Sequence, residues 1–162
     1  MTIISKVGPD SVSRLERAAE RRCAEADWLA EGRHHLAALY FYGYVAEIVL
    51  GNAYFKMLGY NAKDPILRED LKRALVPAGS RSLMSDKSHP IDGWAFLLLE
   101  ERARLYPPAY EKRLERKLRD CSLLIRENWS PKLRYRAIEI GADQVTPVRE
   151  SAHWLLENSQ RL

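Results

Sequence analysis

Leu36 to Phe55 read LAALYFYGYVAEIVLGNAYF, twenty residues with a single charge, Glu47, near the middle. A helix of that length rises roughly 30 Å, enough for the hydrocarbon core of a bilayer. Apolarity on every side suits the central helix of a bundle equally well. The tyrosines decide between the two, because Tyr40, Tyr42, Tyr44 and Tyr54 run through the stretch instead of forming belts at its ends. The flanking sequence also supplies amphipathic partners. The stretch therefore predicts the centre of an all-α, up-and-down bundle of about five to six helices. It should continue to about Leu58, where Gly59 and Asn61 stop it.

On the N-terminal side, Asp10 or Ser11 can cap a helix in which Val12, Leu15, Ala19, Cys23, Ala26 and Ala30 recur at helical spacing to about Glu31. Its other side, with Arg14, Arg17, Glu20, Arg21, Glu25 and Asp27, reads as a solvated surface of mixed charge. Gly32 can end it, and the corner from Gly32 to His35 is so short that the two helices should be antiparallel neighbours.

On the C-terminal side, Asp64 as N-cap and Pro65 at the first helical position predict a short helix to Leu75. Pro77 to Pro90, PAGSRSLMSDKSHP, has the composition of a mobile loop. Ile91, Trp94, Ala95, Leu97, Leu98 and Leu105 then mark a helix that ends at Tyr106-Pro107-Pro108. Tyr110, Leu114, Leu118, Cys121, Ile125 and Trp129 form the clearest apolar stripe, expected to lie against the central helix. Lys112, Arg113, Arg116, Lys117 and Arg119 occupy its other faces, where Glu111, Glu115 and Asp120 should pair with them as neighbours along the helix. Ser130-Pro131 closes this helix. A last one should run from Thr146 or Pro147 to Ser159, and no segment reads as a strand.

A chain of 162 residues suits one domain over positions 1–162, and 46% hydrophobic with 30% charged residues excludes general disorder. The formal charge of +4 permits an anionic partner without requiring one. Met1 to Asp10 lacks the apolar core of a signal peptide, so a cytoplasmic protein is expected. Cys23 and Cys121 have no metal-type spacing and read as small core residues.

Of the four histidines, His34 and His35 are adjacent and point to different faces, while His89 falls in the loop and His153 on the last helix. That is not ligand spacing, and no glycine-rich phosphate loop, Cys-x-x-Cys or GxSxG elbow occurs, so neither a metal nor a cofactor is expected. Glu47 must be paired, protonated or turned to a wet cleft; an Arg or a Tyr hydroxyl is the expected partner. Arg134-Tyr135-Arg136 combines two fixed charges with a ring, able either to hold a phosphate and stack a base or to pack as ordinary surface.

Three segments together resemble the HEPN-domain family of small α-helical bundles. Ala26 to Lys56 is similar to that family's opening helical pair, with Ala46-Glu47 as the small-x-Glu element of its long second helix. Ser88-His89-Pro90-Ile91 resembles the short His-containing lead into the next helix, and Asn128 to Arg136, NWSPKLRYR, the Trp and Arg-Tyr segment after the penultimate one. Some members are metal-independent ribonucleases that use an Arg, four to six residues and then a His, in a site shared across a dimer; others bind nucleotides or partner small nucleotidyltransferases. Here Glu139 to Asp143 stand where that His is required, and Arg149 and His153 have only three residues between them.

The resemblance thus implies a non-catalytic binding module for RNA, a nucleotide or a protein partner, in a toxin–antitoxin or defence-type system. Its ligand-binding residues would be Arg134, Tyr135, Arg136 and Glu47, and a homodimer would pair the Arg134 segment with its copy. The alternatives are a degenerate ribonuclease gathering Glu47, Arg134, His89 or His153 in a cleft, and a structural oligomer subunit without a small ligand.

Overall fold

The computed structural model describes residues 10–84, 87–106 and 111–162. The apolar periods become helices α1 (Val12–Glu31), α2 (His35–Met57), α3 (Arg68–Arg81), α4 (Ile91–Leu105), α5 (Lys112–Asn128) and α6 (Ala142–Glu157). These are the helices among the described residues, and they form an all-α bundle. Helix α2 is its axis, covered by α1, α4 and α6, with Leu39, Tyr42, Val45, Ala46, Leu50 and Phe55 buried on its different sides. By length and composition it could cross a membrane, its mean hydropathy being 1.3, but these packed neighbours account for its apolarity.

Ser11 caps α1 by accepting from the Arg14 N–H at 3.4 Å. At the other end His34 N–H donates to Leu29 O and Arg33 N–H to Ala30 O, the paired bonds of a Schellman turn. The left-handed position falls on Arg33, at φ 63°, and not on Gly32, which is one residue too early. Gly59, at φ 91°, does end the turn after α2 in that conformation.

Three expectations are corrected between α2 and α4. Pro65–Ile66 does not open a helix: it is strand β2, paired antiparallel with β1 (Asp10–Ser11), and Ile66 is buried. Asp64 accepts from Asn61 N–H at 2.7 Å instead of capping a helix, and α3 starts at Arg68, where the Asp70 carboxylate accepts from Leu67 N–H at 2.9 Å. Helix α3 then continues through Pro77 to Arg81, well into the expected loop. Proline removes one helical donor, but Ala78 and Gly79 are buried against α4 and this packing outweighs the loss. The approach is close enough that a Cβ at Gly93 would overlap the Ala78 carbonyl.

Helix α6 begins at Ala142, earlier than Thr146, because Gln144 Oε1 accepts from Gly141 N–H at 3.0 Å and Val145 and Val148 are already buried. The stripe of α5 also differs from expectation. Leu114, Leu118, Cys121 and Ile125 lie mainly between α4 and α6, and contact with α2 is left largely to Trp129 beyond the helix end. Pro107, Pro108 and Tyr110, expected at the α4–α5 break, lie outside the described residues.

Candidate functional site

Tyr40, Gly43, Tyr44 and Glu47 follow one another at helical steps, so α2 presents them along one face. Trp129, just past α5, is laid on that face with its indole over Gly43, where any Cβ would overlap the ring. Its Nε1–H donates to Tyr40 O at 2.9 Å, and its ring meets Tyr44 edge-on at 5.3 Å. After Trp129, Ser130 accepts from Lys132 N–H and starts a 3₁₀ helix, Pro131–Tyr135, which Trp129 therefore fastens to α2.

The partner of Glu47 is neither an Arg nor a Tyr. His89 reaches it from the turn before α4, with Nδ1 at 3.0 and 2.9 Å from the two carboxylate oxygens. In that geometry the imidazole Nδ1–H is the donor and the carboxylate accepts. Tyr44 and Trp129 flank the imidazole edge-on, at 5.9 and 6.1 Å. Burial foremost, then the Tyr40 hydroxyl 3.4 Å away and the Glu47 charge, push the Tyr44 hydroxyl well above its ordinary pKa, with Arg134 acting the other way. Tyr44 therefore stays protonated.

Arg134 joins the same cluster at its rim. Its guanidinium lies 4.8 Å from the centre of the Tyr135 ring, and the Tyr40 hydroxyl foremost, then Tyr135, raise its already high pKa. Tyr135 is 76% exposed, and Arg136 is exposed as well. The site thus runs from a half-buried His–Glu pair, across Tyr44, Trp129 and Tyr40, to an exposed arginine–tyrosine stack.

His153 is elsewhere. It meets Asp27 at 2.9 Å on the opposite side of the core helix's tyrosines, together with Arg149 at 3.0 Å and the Tyr42 hydroxyl, which donates at 2.6 Å. Asp27 is therefore not part of a solvated surface but fastens α1 to α2 and α6. With Cys23, one turn earlier, and His153 it offers three ligand atoms within 4.8 Å of one another, a set able to hold a metal ion. Asp27, however, already serves Arg149 and Tyr42, and burial first, then the Asp27 charge, push the Cys23 thiol up to about 11, so as it stands the thiol is protonated. The Cys-x3-Asp and Arg-x3-His spacings are plain in the chain; that the two pairs face each other is not.

This clasp carries a pH prediction. Burial would raise the Asp27 pKa, but the Tyr42 and His153 hydrogen bonds and the His153 and Arg149 charges outweigh it and lower the value. A depressed carboxylate stabilises the fold above its unfolded value, about 3.9, and loses that stabilisation as the pH falls through its folded value. Urea denaturation across acid pH should show wild type falling toward Asp27→Asn in that window, and Asp27→Asn less stable at neutral pH. Parallel curves at a constant offset would contradict it.

Asp92 is a residue that the sequence does not single out. Although 1% exposed, it accepts from Leu83 N–H at 2.8 Å, Gly93 N–H at 3.0 Å and the Ser82 hydroxyl, with Arg126 of α5 at 3.8 Å. It thereby ties the α3–α4 connection to α4, three residues after His89. An Asp in the first turn of a helix reads as an ordinary surface cap, and only its burial shows otherwise. Comparison of the chain with protein-family models, with curated proteins and with solved structures gives no match.

Proposed function

We propose that this chain is a non-catalytic, HEPN-like module that binds single-stranded RNA on the face formed by Arg134, Tyr135, Arg136 and the Glu47–His89 pair. The observation that carries this reading is the exposed Tyr135 ring with the Arg134 guanidinium 4.8 Å from its centre, on a 3₁₀ helix anchored by Trp129. A ring offers a stacking surface to any base, and a guanidinium beside it matches the adjoining phosphate. Exposed Tyr135 would otherwise leave a large apolar surface in water. The resemblance adds a cytoplasmic, toxin–antitoxin or defence setting and a nucleotidyltransferase-type partner.

Fluorescence anisotropy with a labelled oligoribonucleotide tests it. Tyr135→Ala should weaken binding roughly 5- to 150-fold, the effect of losing one base stack. Arg134→Ala should weaken it too and reduce the salt slope by roughly 0.7 for each phosphate that the guanidinium neutralises. Absence of binding, or indifference to both variants, would overturn the proposal. RNA recovered from the complex should be intact; cleavage that disappears in His89→Gln would replace binding with hydrolysis. A dimer that dissociates in Arg134→Glu, with no RNA affinity, would instead place Tyr135 in a subunit interface.

A further inference from the structure

Arg113, Arg116, Lys117 and Asp120 recur at steps of three, one and three, so they share one face of α5, beside the buried Leu114 and Leu118. The acidic neighbours expected to neutralise this face do not do so. Glu111 turns away to Arg102 at 2.9 Å and Arg161 at 2.7 Å, and among the described residues the side chains of Arg113, Arg116 and Lys117 form no ion pair or hydrogen bond. The end of α6 runs alongside and supplies a partly buried Trp154, followed by Asn158 and Arg161 in the closing turn. Between the two helices lies a groove of about 710 Å³, within the roughly 300–1,000 Å³ of small-ligand sites.

Arg113, Arg116 and Lys117 are exposed and outnumber the one carboxylate on the groove wall, Asp120, so the groove carries a net positive field, and an anion shared among the three cations relieves their repulsion. Guanidinium forks suit phosphate oxygens, Lys adds a point charge, and an indole face suits a base. A simple anion would leave Trp154 unused. We infer that the α5–α6 groove is a nucleotide site, in which Arg113, Arg116 and Lys117 hold a polyphosphate and the base lies against Trp154. It is distinct from the RNA face: along α5, Lys117 and Trp129 are separated by roughly 18 Å at 1.5 Å per residue. The groove stands whether or not that face binds RNA.

Isothermal titration at low salt with ATP, adenosine, inorganic tripolyphosphate and a 5′-triphosphorylated oligoribonucleotide tests it. ATP should bind at one site and more tightly than tripolyphosphate, and adenosine should give no measurable heat. Arg116→Glu with Lys117→Glu should weaken ATP at least about tenfold, the scale on which charge-assisted hydrogen bonds act. The charge-matched control, Arg21→Glu with Lys72→Glu on exposed positions of α1 and α3, should not. Trp154→Phe should keep the preference for ATP over tripolyphosphate and Trp154→Leu, checked for folding by circular dichroism, should lose it. An oligoribonucleotide that outbinds ATP, and is weakened by the same α5 variant, would identify the nucleotide as an RNA end; the reverse order would identify it as free. No ATP binding, equal binding of ATP and tripolyphosphate, or an α5 variant equal to wild type would overturn the site.

Discussion

Trp129→Ala is expected to lower the unfolding free energy by about 3–5 kcal/mol, the range for truncating a buried large aromatic. The side chain is 3% exposed, and its ring fills the space that Gly43 leaves open, so neither neighbour can close the cavity without moving α2. The Nε1–H bond to Tyr40 O, at 2.9 Å, goes with it, as does the edge-on packing of Tyr44 and His89. Trp129→Phe, which keeps a ring but no donor, should lose less. Chemical denaturation reads both. A loss in Trp129→Ala no larger than about 1 kcal/mol, the average for any substitution, would show that Trp129 does not fasten the 3₁₀ helix. The same variant should also lose the RNA binding proposed for this face where it remains folded, because Arg134 and Tyr135 follow Trp129 on the 3₁₀ helix that this ring fastens to α2.

Asp92→Ala is the second large effect, expected at about 3 kcal/mol or more. The carboxylate is buried and accepts from Leu83 N–H, Gly93 N–H and the Ser82 hydroxyl, so its removal leaves all three without this acceptor, the Gly93 N–H and the Ser82 hydroxyl in buried positions. Arg126, whose guanidinium lies 3.8 Å away with 18% of its side chain exposed, would keep its charge without this counter-ion. The defect should spread toward the site: Ile91 N–H donates to His89 O at 3.0 Å and Trp94 N–H to Pro90 O at 2.8 Å, so the turn that aims His89 is built on the start of α4. Arg126 also pairs with Glu127 at 3.1 Å, so a double variant with Arg126→Met should recover only a small part of the stability, by removing a cation that has lost one of its two counter-ions. No recovery, with a full-sized loss in Asp92→Ala, would assign the whole effect to the two backbone donors and the Ser82 hydroxyl.

The helices were legible because an apolar period is a local property of the chain. Val12, Ala19, Cys23 and Ala26 bury one stripe of α1, and Leu114, Leu118, Cys121 and Ile125 one stripe of α5, at the residues where spacing puts them. The Ser11 cap of α1 and the Gly59 stop after α2 are local in the same sense. Where local signals conflict with packing, packing prevailed: α3 runs through Pro77 because Ala78 and Gly79 lie on α4, and Pro65–Ile66 pairs with Asp10–Ser11 instead of opening a helix.

The candidate site was legible only as its parts. Glu47, His89 and the Arg134 segment could be picked out, because a charge in an apolar helix, a loop histidine and an Arg-Tyr-Arg run each stand out against their surroundings. Which of them meet could not be, since Glu47 and His89 are 42 residues apart and Asp27 and His153 are 126 apart. A carboxylate or imidazole can accept any of several partners at nearly equal energy, and the sequence carries no preference among them. The angle at which α4 and α6 settle on α2 decides the pairing, because that packing alone brings the groups within the 3 Å or so over which a hydrogen bond acts.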